Sequence, residues 1–266
     1  MTSITYKNIL LENMGLHVAK VIINRPQVLN AVDLHTATEL KTLFGEIAAD
    51  QQVRVVIITG AGEKSFCVGA DQKEMALHAE DEKKAKTFEN AGREVFNLIE
   101  GLGRPSVCAI NGYTFGLGVQ LALACTFRIA SANARFGLPE INMGFFPSMG
   151  ATQRLTRLVG GAKTTEMILT GEAIDAEEAY RIGLVNKVIP QAEFGGFVDR
   201  FAESLAEKSP VAVRLAMDAI RQGETMSLQD GLAYEARLSE ECLRSEDSKE
   251  GRRAFAEKRK AHFKGR

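Results

Sequence analysis

Strand-like and helix-like segments alternate along this chain up to residue 190, and only helix-like segments follow. Residues 53–59 and 106–110 are short apolar runs of the kind that form buried strands. Between them, apolar side chains within residues 88–102 recur at the spacing of one helix face. Helical periodicity then covers residues 191–208, 210–222, 227–245 and 248–262. The alternation predicts an α/β core over residues 1–190 and a C-terminal helical region over residues 191–266.

The N-terminal part shows the same change of pattern over a shorter distance. Residues 4–11 and 16–23 are rich in β-branched side chains and flank a turn at Gly15, which predicts a β-hairpin. Helical spacing starts after Asp33, whose side chain can accept hydrogen bonds from the first free N–H groups of a helix. We therefore expect a helix that begins directly after Asp33.

Charge and cysteine content limit the possible partners and compartments. The 33 basic and 34 acidic side chains give a net charge of −1, which offers no general attraction to nucleic acid or to anionic lipid. No apolar run approaches the roughly 18 residues of a membrane span. The four cysteines are widely spaced and form no C-x-x-C pair, as is typical of a reducing compartment. We expect a cytoplasmic protein that binds neither nucleic acid nor membrane.

Several familiar motifs of cofactor and nucleophile chemistry are incomplete. A dinucleotide fingerprint would need a third glycine where Ser65 stands, and a P-loop would need a glycine before Lys64. Ser148 lacks the first glycine of a nucleophile elbow. The histidines show no ligand spacing; they are His17, His35, His78 and His262. The sequence therefore predicts no metal, no nicotinamide or nucleotide cofactor and no serine triad.

Two glycine-rich turns lead into predicted helices. Residues 65–71 run from a loop into a helix that begins near Asp71, and residues 111–118 run from a strand into another. Glycine lets the backbone approach a ligand closely, and free N–H groups at a helix start attract an oxyanion. Each turn alone is more often structural than functional, because such turns are common.

The order and spacing of seven short motifs are similar to those of a known family. These motifs are Asn-Arg-Pro at 24–26, Leu-Asn-Ala at 29–31, Gly-Ala-Asp at 69–71, the turn at 111–118, Pro-Glu at 139–140, Thr-Gln-Arg-Leu at 152–155 and Ala-Phe-Ala-Glu-Lys-Arg-Lys at 254–260. With them the chain resembles the enoyl-CoA hydratase/isomerase (crotonase) family over nearly its whole length. The resemblance implies a spiral of repeated ββα units and C-terminal helices that form a homotrimer or a dimer of trimers. It also implies an acyl-CoA thioester substrate, with coenzyme A as part of the substrate and no separate cofactor.

The resemblance implies roles for particular residues. The backbone N–H groups of Ala70 and Leu117 match the pair that stabilises the thioester enolate. Acyl-CoA contacts map to Gln27, Val28, Leu29, Gly69, Asp71, Gln72, Gly116, Gly118, Pro139, Phe255 and Lys258. The last two match positions that often reach the coenzyme A of a neighbouring subunit. Asp71 is better suited to cap a helix than to catalyse.

Two positions depart from the family pattern. Many hydratases carry two glutamates at the reacting carbons, whereas this chain keeps Glu140 and has Gln120 at the other position. A carboxamide orients water or a carbonyl but exchanges no proton near neutral pH. We therefore expect Glu140 to act alone as general acid and base. Leu117 stands where glycine is common, and we expect its side chain to narrow the acyl pocket.

The predicted reaction is hydration of a 2-enoyl-CoA, and other reactions of this family stay open. One carboxylate can also carry a proton between the α and γ carbons, which is enoyl-CoA isomerisation, and hydrolase or lyase variants are further alternatives. A basic end at Arg252, Arg253 and residues 258–260 raises RNA binding as another class. The balanced charge and the absence of interleaved aromatic residues argue against it. Acyl length, pathway and the choice between trimer and hexamer are not specified by these motifs.

Overall fold

The computed structural model describes residues 6–15, 17–77 and 81–266. Residues 4–5 and Leu16 of the predicted hairpin, and His78, lie outside these ranges. The strands are β1 Ile9–Met14, β2 Val18–Ile23, β3 Val55–Gly60, β4 Ser65–Cys67, β5 Ser106–Ile110, β6 Tyr113–Phe115, β7 Phe127–Ser131, β8 Arg135–Gly137, β9 Ile174–Asp175 and β10 Lys187–Ile189.

The helices are α1 Leu34–Ala49, α2 Gln72–Leu77, α3 Glu82–Glu100, α4 Leu117–Leu123, α5 Ala151–Val159, α6 Gly161–Thr170, α7 Ala176–Arg181, α8 Gln191–Ala206, α9 Pro210–Gly223, α10 Leu228–Arg244 and α11 Glu246–Ala256. Short 3₁₀ turns cover Pro26–Val28 and Pro139–Met143. Among the helices of the described ranges, none combines the length and the apolar character needed to cross a bilayer.

Two sheets are built by a repeated unit. Six strands pair in the order β1-β2-β3-β5-β7-β10, and four pair in the order β4-β6-β8-β9. The successive strand pairs β3 and β4, β5 and β6, and β7 and β8 each place one strand in each sheet before the chain turns into a helix. In the larger sheet β1 and β2 form an antiparallel hairpin, and the remaining neighbours are parallel. The predicted spiral of ββα units is confirmed.

Local signals account for the elements near the N-terminus. Asp33 accepts a hydrogen bond from the backbone N–H of Thr36 at 2.7 Å, so it caps α1 as predicted. The described part of the predicted hairpin is also present, with Ile9 opposite Ile23 in its register. Every residue of β3 is buried, since helices cover both faces of a parallel sheet.

The larger sheet is covered on both sides. On one face, Phe44 of α1 and Phe96 of α3 pack in the same buried cluster as Ile58 of β3. On the other face, Phe194 of α8 packs in a cluster with Ile57 of β3. The first helix after residue 190 therefore belongs to the core of the sheet, while the later helices extend beyond it.

The last helix is shorter than predicted. Helical periodicity suggested residues 248–262, but α11 ends at Ala256, and Lys258 has a left-handed backbone with φ of +55°. The chain then turns back, and the buried carboxylate of Asp247 accepts hydrogen bonds from the backbone of this tail, including the amide of Gly265 at 3.1 Å. The turn ends the helix because the tail gains these bonds to Asp247, which sequence periodicity does not register.

Candidate active site

The two glycine-rich turns approach each other closely. Gly69 has a φ of +113°, and a Cβ there would lie 3.4 Å from the carbonyl oxygen of Phe115 and 3.7 Å from the amide nitrogen of Leu117. At Gly118 a Cβ would lie only 2.1 Å from the carbonyl oxygen of Cys67. Glycine is therefore required for α4 to pack this closely on β4, and the start of α4 lies beside the first turn.

Two backbone N–H groups at this junction are free to donate. The backbone N–H of Val32 donates to the carbonyl oxygen of Gly69, and the carbonyl oxygen of Val32 accepts from the N–H of Asp71, each at 2.9 Å. The N–H of Ala70, between Gly69 and Asp71, takes no part in this pairing. Leu117 is the first residue of α4, where an N–H has no acceptor within its own helix. Within the described part of the chain, neither Ala70 nor Leu117 donates its N–H to another group. Each of these N–H groups can donate to a ligand oxygen.

Ala70 and Leu117 both line a cavity of about 210 Å³. The predicted site residues that line it are Gly69, Ala70, Gln72, Gly116, Leu117, Gln120, Pro139 and Glu140. Most other lining side chains are apolar, and they include Met75, Phe88, Met143, Phe145 and Met149. The spiral thus gathers residues from both turns and from the 3₁₀ turn at Pro139–Met143 around one cavity.

Glu140 is the buried carboxylate of this cavity. Its side chain is held near the start of the 3₁₀ turn, directly after Pro139, and the residue is 6% exposed. Burial raises the pKa of this carboxyl group above its ordinary value. Oε2 has no hydrogen-bond partner among the described residues. Gly116, with φ of +52°, makes room for the carboxylate, since a Cβ there would lie 3.1 Å from Oε1.

Gln120 connects Glu140 to the segment after the 3₁₀ turn. Its Nε2 donates to Oε1 of Glu140 at 3.3 Å, and its Oε1 accepts from the backbone N–H of Met149 at 2.8 Å. Because a backbone N–H only donates, the Met149 N–H must face the oxygen of the Gln120 amide, and the amide nitrogen therefore faces Glu140. The neighbour of Glu140 is therefore a hydrogen-bond donor that exchanges no proton.

The free amides, the buried carboxylate and the spiral fold agree with the comparisons with known proteins. The sequence profile described as Enoyl-CoA hydratase/isomerase matches residues 14–266. The chain belongs to this family.

Similar proteins within the family carry hydratase names. A short-chain-enoyl-CoA hydratase from Clostridium acetobutylicum is 44% identical over 260 residues, which cover 97% of this chain and 98% of that protein. A crotonyl-CoA hydratase from Syntrophomonas wolfei is 41% identical over 258 residues, which cover 97% and 98%. The crystal structure of an enoyl-CoA hydratase from Bacillus anthracis superposes with a TM-score of 0.94 at 39% identity, over 98% of this chain and 100% of that one. The predicted family is confirmed, and these names support an enzyme of the hydratase class.

Some predicted coenzyme A contacts lie outside the cavity. Gln27 and Val28 belong to the 3₁₀ turn at Pro26–Val28, and Leu29 follows it with a left-handed backbone. Arg25 ties this segment to the first turn, because its guanidinium donates to Asp71 at 3.0 Å. Asp71 also accepts from the amide two residues further on at 3.1 Å, which agrees with its predicted role as the cap of α2. Neither this segment nor Asp71 lines the cavity.

Phe255 and Lys258 are also absent from the lining of this cavity. Phe255 is 88% exposed near the end of α11, and Lys258 is exposed just beyond that helix. Neither lines the cavity in the described chain. Their predicted contacts with coenzyme A stay predictions.

A second carboxylate on the cavity wall was missed by the sequence analysis. Glu89 of α3 lines the cavity and accepts hydrogen bonds from Ser148 Oγ at 2.8 Å and from Arg93 at 2.6 Å. Partial burial raises the pKa of Glu89, but these hydrogen bonds and the charges of Arg93 and Lys86 outweigh it and hold the pKa below its ordinary value. Its place next to the buried Phe88 was the only signal, and a glutamate there looks like an ordinary solvent-facing helix residue.

Proposed function

We infer that this protein is an enoyl-CoA hydratase that uses Glu140 as its single acid and base. The observation that carries the mechanism is the unpartnered Oε2 of the buried Glu140, a residue that lines the same cavity as Ala70 and Leu117. The direct test incubates the purified protein with crotonyl-CoA in water enriched in oxygen-18. We expect a product heavier by one labelled water.

The proposed reaction begins at the two amides. The thioester carbonyl oxygen accepts hydrogen bonds from Ala70 and Leu117, which stabilise the negative charge that develops there. Removal of one such donor typically costs about 3 kcal/mol of transition-state stabilisation. The burial of Leu117 strengthens this effect, because a dry site screens charge less than water does.

Water is then added through Glu140. Oε2 takes a proton from the water while the water oxygen bonds to the β carbon, and the electrons of the double bond move into the thioester enolate. Glu140 then returns that proton to the α carbon, the enolate collapses and the carboxylate is regenerated. The raised pKa of Glu140 suits this exchange, since a group that both takes and gives a proton works best with a pKa near the working pH.

Gln120 would hold the attacking water. One N–H of its amide donates to Glu140, which leaves the other N–H for the water oxygen. The carboxamide thus occupies the place of a second glutamate as a fixed donor. Loss of this donor in Gln120→Ala should lower hydration.

Isomerisation is the second candidate, and it is favoured by Gln120 itself. An enoyl-CoA isomerase needs one carboxylate to carry a proton between the α and γ carbons and no water. Oxygen-18 incorporation by the wild type, Gln120→Ala and Gln120→Glu separates the two reactions. Conversion of a 3-enoyl-CoA to a 2-enoyl-CoA without label in any of the three proteins would replace the hydratase proposal by the isomerase.

A short acyl chain is the proposed substrate class. The cavity of about 210 Å³ is smaller than the roughly 300 Å³ at which pockets for drug-sized ligands begin, and the side chain of Leu117 lies in its wall. Two similar proteins are named for short-chain and crotonyl substrates. Coenzyme A enters as part of this substrate, with its nucleotide outside the cavity near residues 27–29, and no further cofactor is proposed. Rates with enoyl-CoA esters of increasing length test this class.

We also propose self-association, as a homotrimer or a dimer of trimers. The C-terminal helices expose large apolar side chains, and surfaces of this kind commonly mark protein interfaces. Examples are Ile220, Leu228, Leu232 and Phe255. Sedimentation equilibrium measures the mass of the assembly, and a monomer at all concentrations would reject the proposal.

The proposed compartment is the cytoplasm. All four cysteines are free, and three of them are buried. Burial raises the pKa of Cys67 to about 12 and that of Cys108 well above its ordinary value, so these thiols stay protonated and unreactive. Unpaired thiols of this kind are typical of proteins from reducing compartments.

A further inference from the structure

Helix α3 holds the two-residue segment 148–149 through side chains one turn apart. Arg93 and Glu89 form an ion pair at 2.6 Å on this helix. Ser148 Oγ donates to Glu89 at 2.8 Å, and Arg93 donates to the carbonyl oxygen of Ser148 at 3.1 Å. Because each of the three residues bonds the other two, the set fixes both the side chain and the carbonyl of Ser148.

Met149 is held from the same helix. Arg154 donates to its carbonyl oxygen at 3.0 Å, while the guanidinium binds Glu100 of α3 through two hydrogen bonds of 2.6 and 2.8 Å. Gly92 of α3 makes room for the side chain, since a Cβ there would lie 2.6 Å from the sulfur of Met149. The backbone N–H of Met149 donates to Gln120.

We propose that Glu89 is a positioning residue for the reaction, acting through Ser148, the Met149 N–H and Gln120. This proposal rests on the proposed function of Glu140. The two ends of a carboxamide have nearly the same shape, so only the hydrogen bonds around it decide which end faces Glu140. If the Met149 N–H moves, Gln120 loses the contact that directs its nitrogen to Glu140.

The effect of Glu89 lies in geometry rather than in stability. An ion pair as exposed as Glu89 with Arg93 contributes little to folding. In contrast, a displacement of about 1 Å near reacting atoms can lower a rate by as much as about 100-fold. A loss of turnover without a loss of fold is therefore the expected result of breaking this connection.

The test compares four variants with one control. Glu89→Ala and Ser148→Ala each remove the hydrogen bond between these residues. The double variant removes that same bond and so adds no further loss of it. Glu89→Gln keeps a side-chain oxygen that can accept from Ser148. The control is Glu94→Ala on the same helix, since Glu94 pairs with Lys41 and lies outside the network of segment 148–149. Thermal unfolding, kcat and KM for crotonyl-CoA are measured for each protein.

We expect Glu89→Ala to lower kcat about tenfold with KM within about twofold. Ser148→Ala should lower kcat similarly, and the double variant should be no worse than the poorer single one, as for residues that act through one bond. Glu89→Gln should restore most of the lost kcat, and Glu94→Ala should retain it.

The wild type tests the proposed function, and the Glu89 variants test the positioning role. If the wild type adds no water to crotonyl-CoA, the proposed function fails. If the wild type is active but Glu89→Ala keeps kcat within about twofold, the positioning role is overturned. Equal losses in Glu89→Ala and Glu94→Ala, or in Glu89→Ala and Glu89→Gln, overturn it as well. Should Glu89→Ala fail to fold, Ser148→Ala decides the question through the same measurements.

Discussion

A second carboxylate at position 120 should couple to Glu140 so strongly that the pair keeps one proton near neutral pH. In the structure, Nε2 of Gln120 lies 3.3 Å from Oε1 of Glu140, and the other end of the amide is fixed by Met149. In Gln120→Glu, one carboxylate oxygen would accept from Met149 and the other would face Glu140. Two unit charges at that distance repel by about 5 kcal/mol at an effective dielectric constant of about 20.

This repulsion acts on the second ionisation of the pair. An energy of about 5 kcal/mol lowers the acid dissociation constant of that step several-thousand-fold, and the pKa of the step therefore rises. Burial already raises the pKa of Glu140, so both effects act in the same direction. The shared proton makes the pair resemble the two-glutamate arrangement of many hydratases, and hydration should be kept or improved while one proton remains.

The dependence of stability on pH follows with a definite sign. A glutamate in the unfolded chain has a pKa of about 4.3, whereas the folded pair would bind its last proton well above that. The folded state therefore holds more protons than the unfolded state as the pH rises from about 5, and Gln120→Glu loses stability relative to the wild type over that range. The loss ends once the pH passes the raised pKa, and it amounts to as much as about 5 kcal/mol.

Two assays and one control test this reasoning. Thermal unfolding and hydration rate are measured from about pH 5 to pH 9 for the wild type, Gln120→Glu and Gln120→Ala. Gln120→Ala also removes the Nε2 donor to Glu140 but adds no carboxylate, so its stability should run parallel to that of the wild type. A constant difference in unfolding temperature between Gln120→Glu and the wild type across this range would refute the coupling.

Three further predictions concern the acid, the coenzyme and the C-terminal tail. Glu140→Gln should lower turnover by at least about 100-fold while acyl-CoA still binds, and near-wild-type turnover would exclude Glu140 as the acid and base. The same variant should raise the unfolding temperature at alkaline pH, because the raised pKa of Glu140 means that its buried charge is unfavourable there. Lys258→Ala should raise KM for acyl-CoA without a matching loss of kcat, and less so at high salt; equal KM values at low salt would make Lys258 an ordinary exposed lysine. Asp247→Ala should lower the free energy of unfolding by about 3 kcal/mol, since the buried carboxylate accepts hydrogen bonds from the backbone of the tail. The control is Glu246→Ala, because Glu246 is the preceding residue but is exposed, and an equal change in both variants would contradict the prediction.

Several features could be predicted because their causes lie close together in the chain. Asp33 caps α1 through an amide three residues away, and the hairpin strands are separated by a short turn. The apolar runs of β3 and β5 could be recognised as buried strands because most of their side chains are apolar. Resemblance added what periodicity lacks, namely that Glu140 and Gln120 belong to one site.

The contacts that shape the site depend on the tertiary structure. Gln120 and Glu140 are 20 residues apart, and Ser148 and Glu89 are 59 apart, so the winding of the spiral decides whether they meet. Helical periodicity predicts that Glu89 lies on a helix. It identifies the buried face from the apolar residues, however, so a charged residue beside that face is interpreted as solvent-exposed. The partner that makes Glu89 part of the cavity wall, Ser148, arrives from a later turn of the spiral. Residue identity thus determined which chemical groups the chain carries, whereas only the packing of α3 against segment 148–149 decided which of them act together.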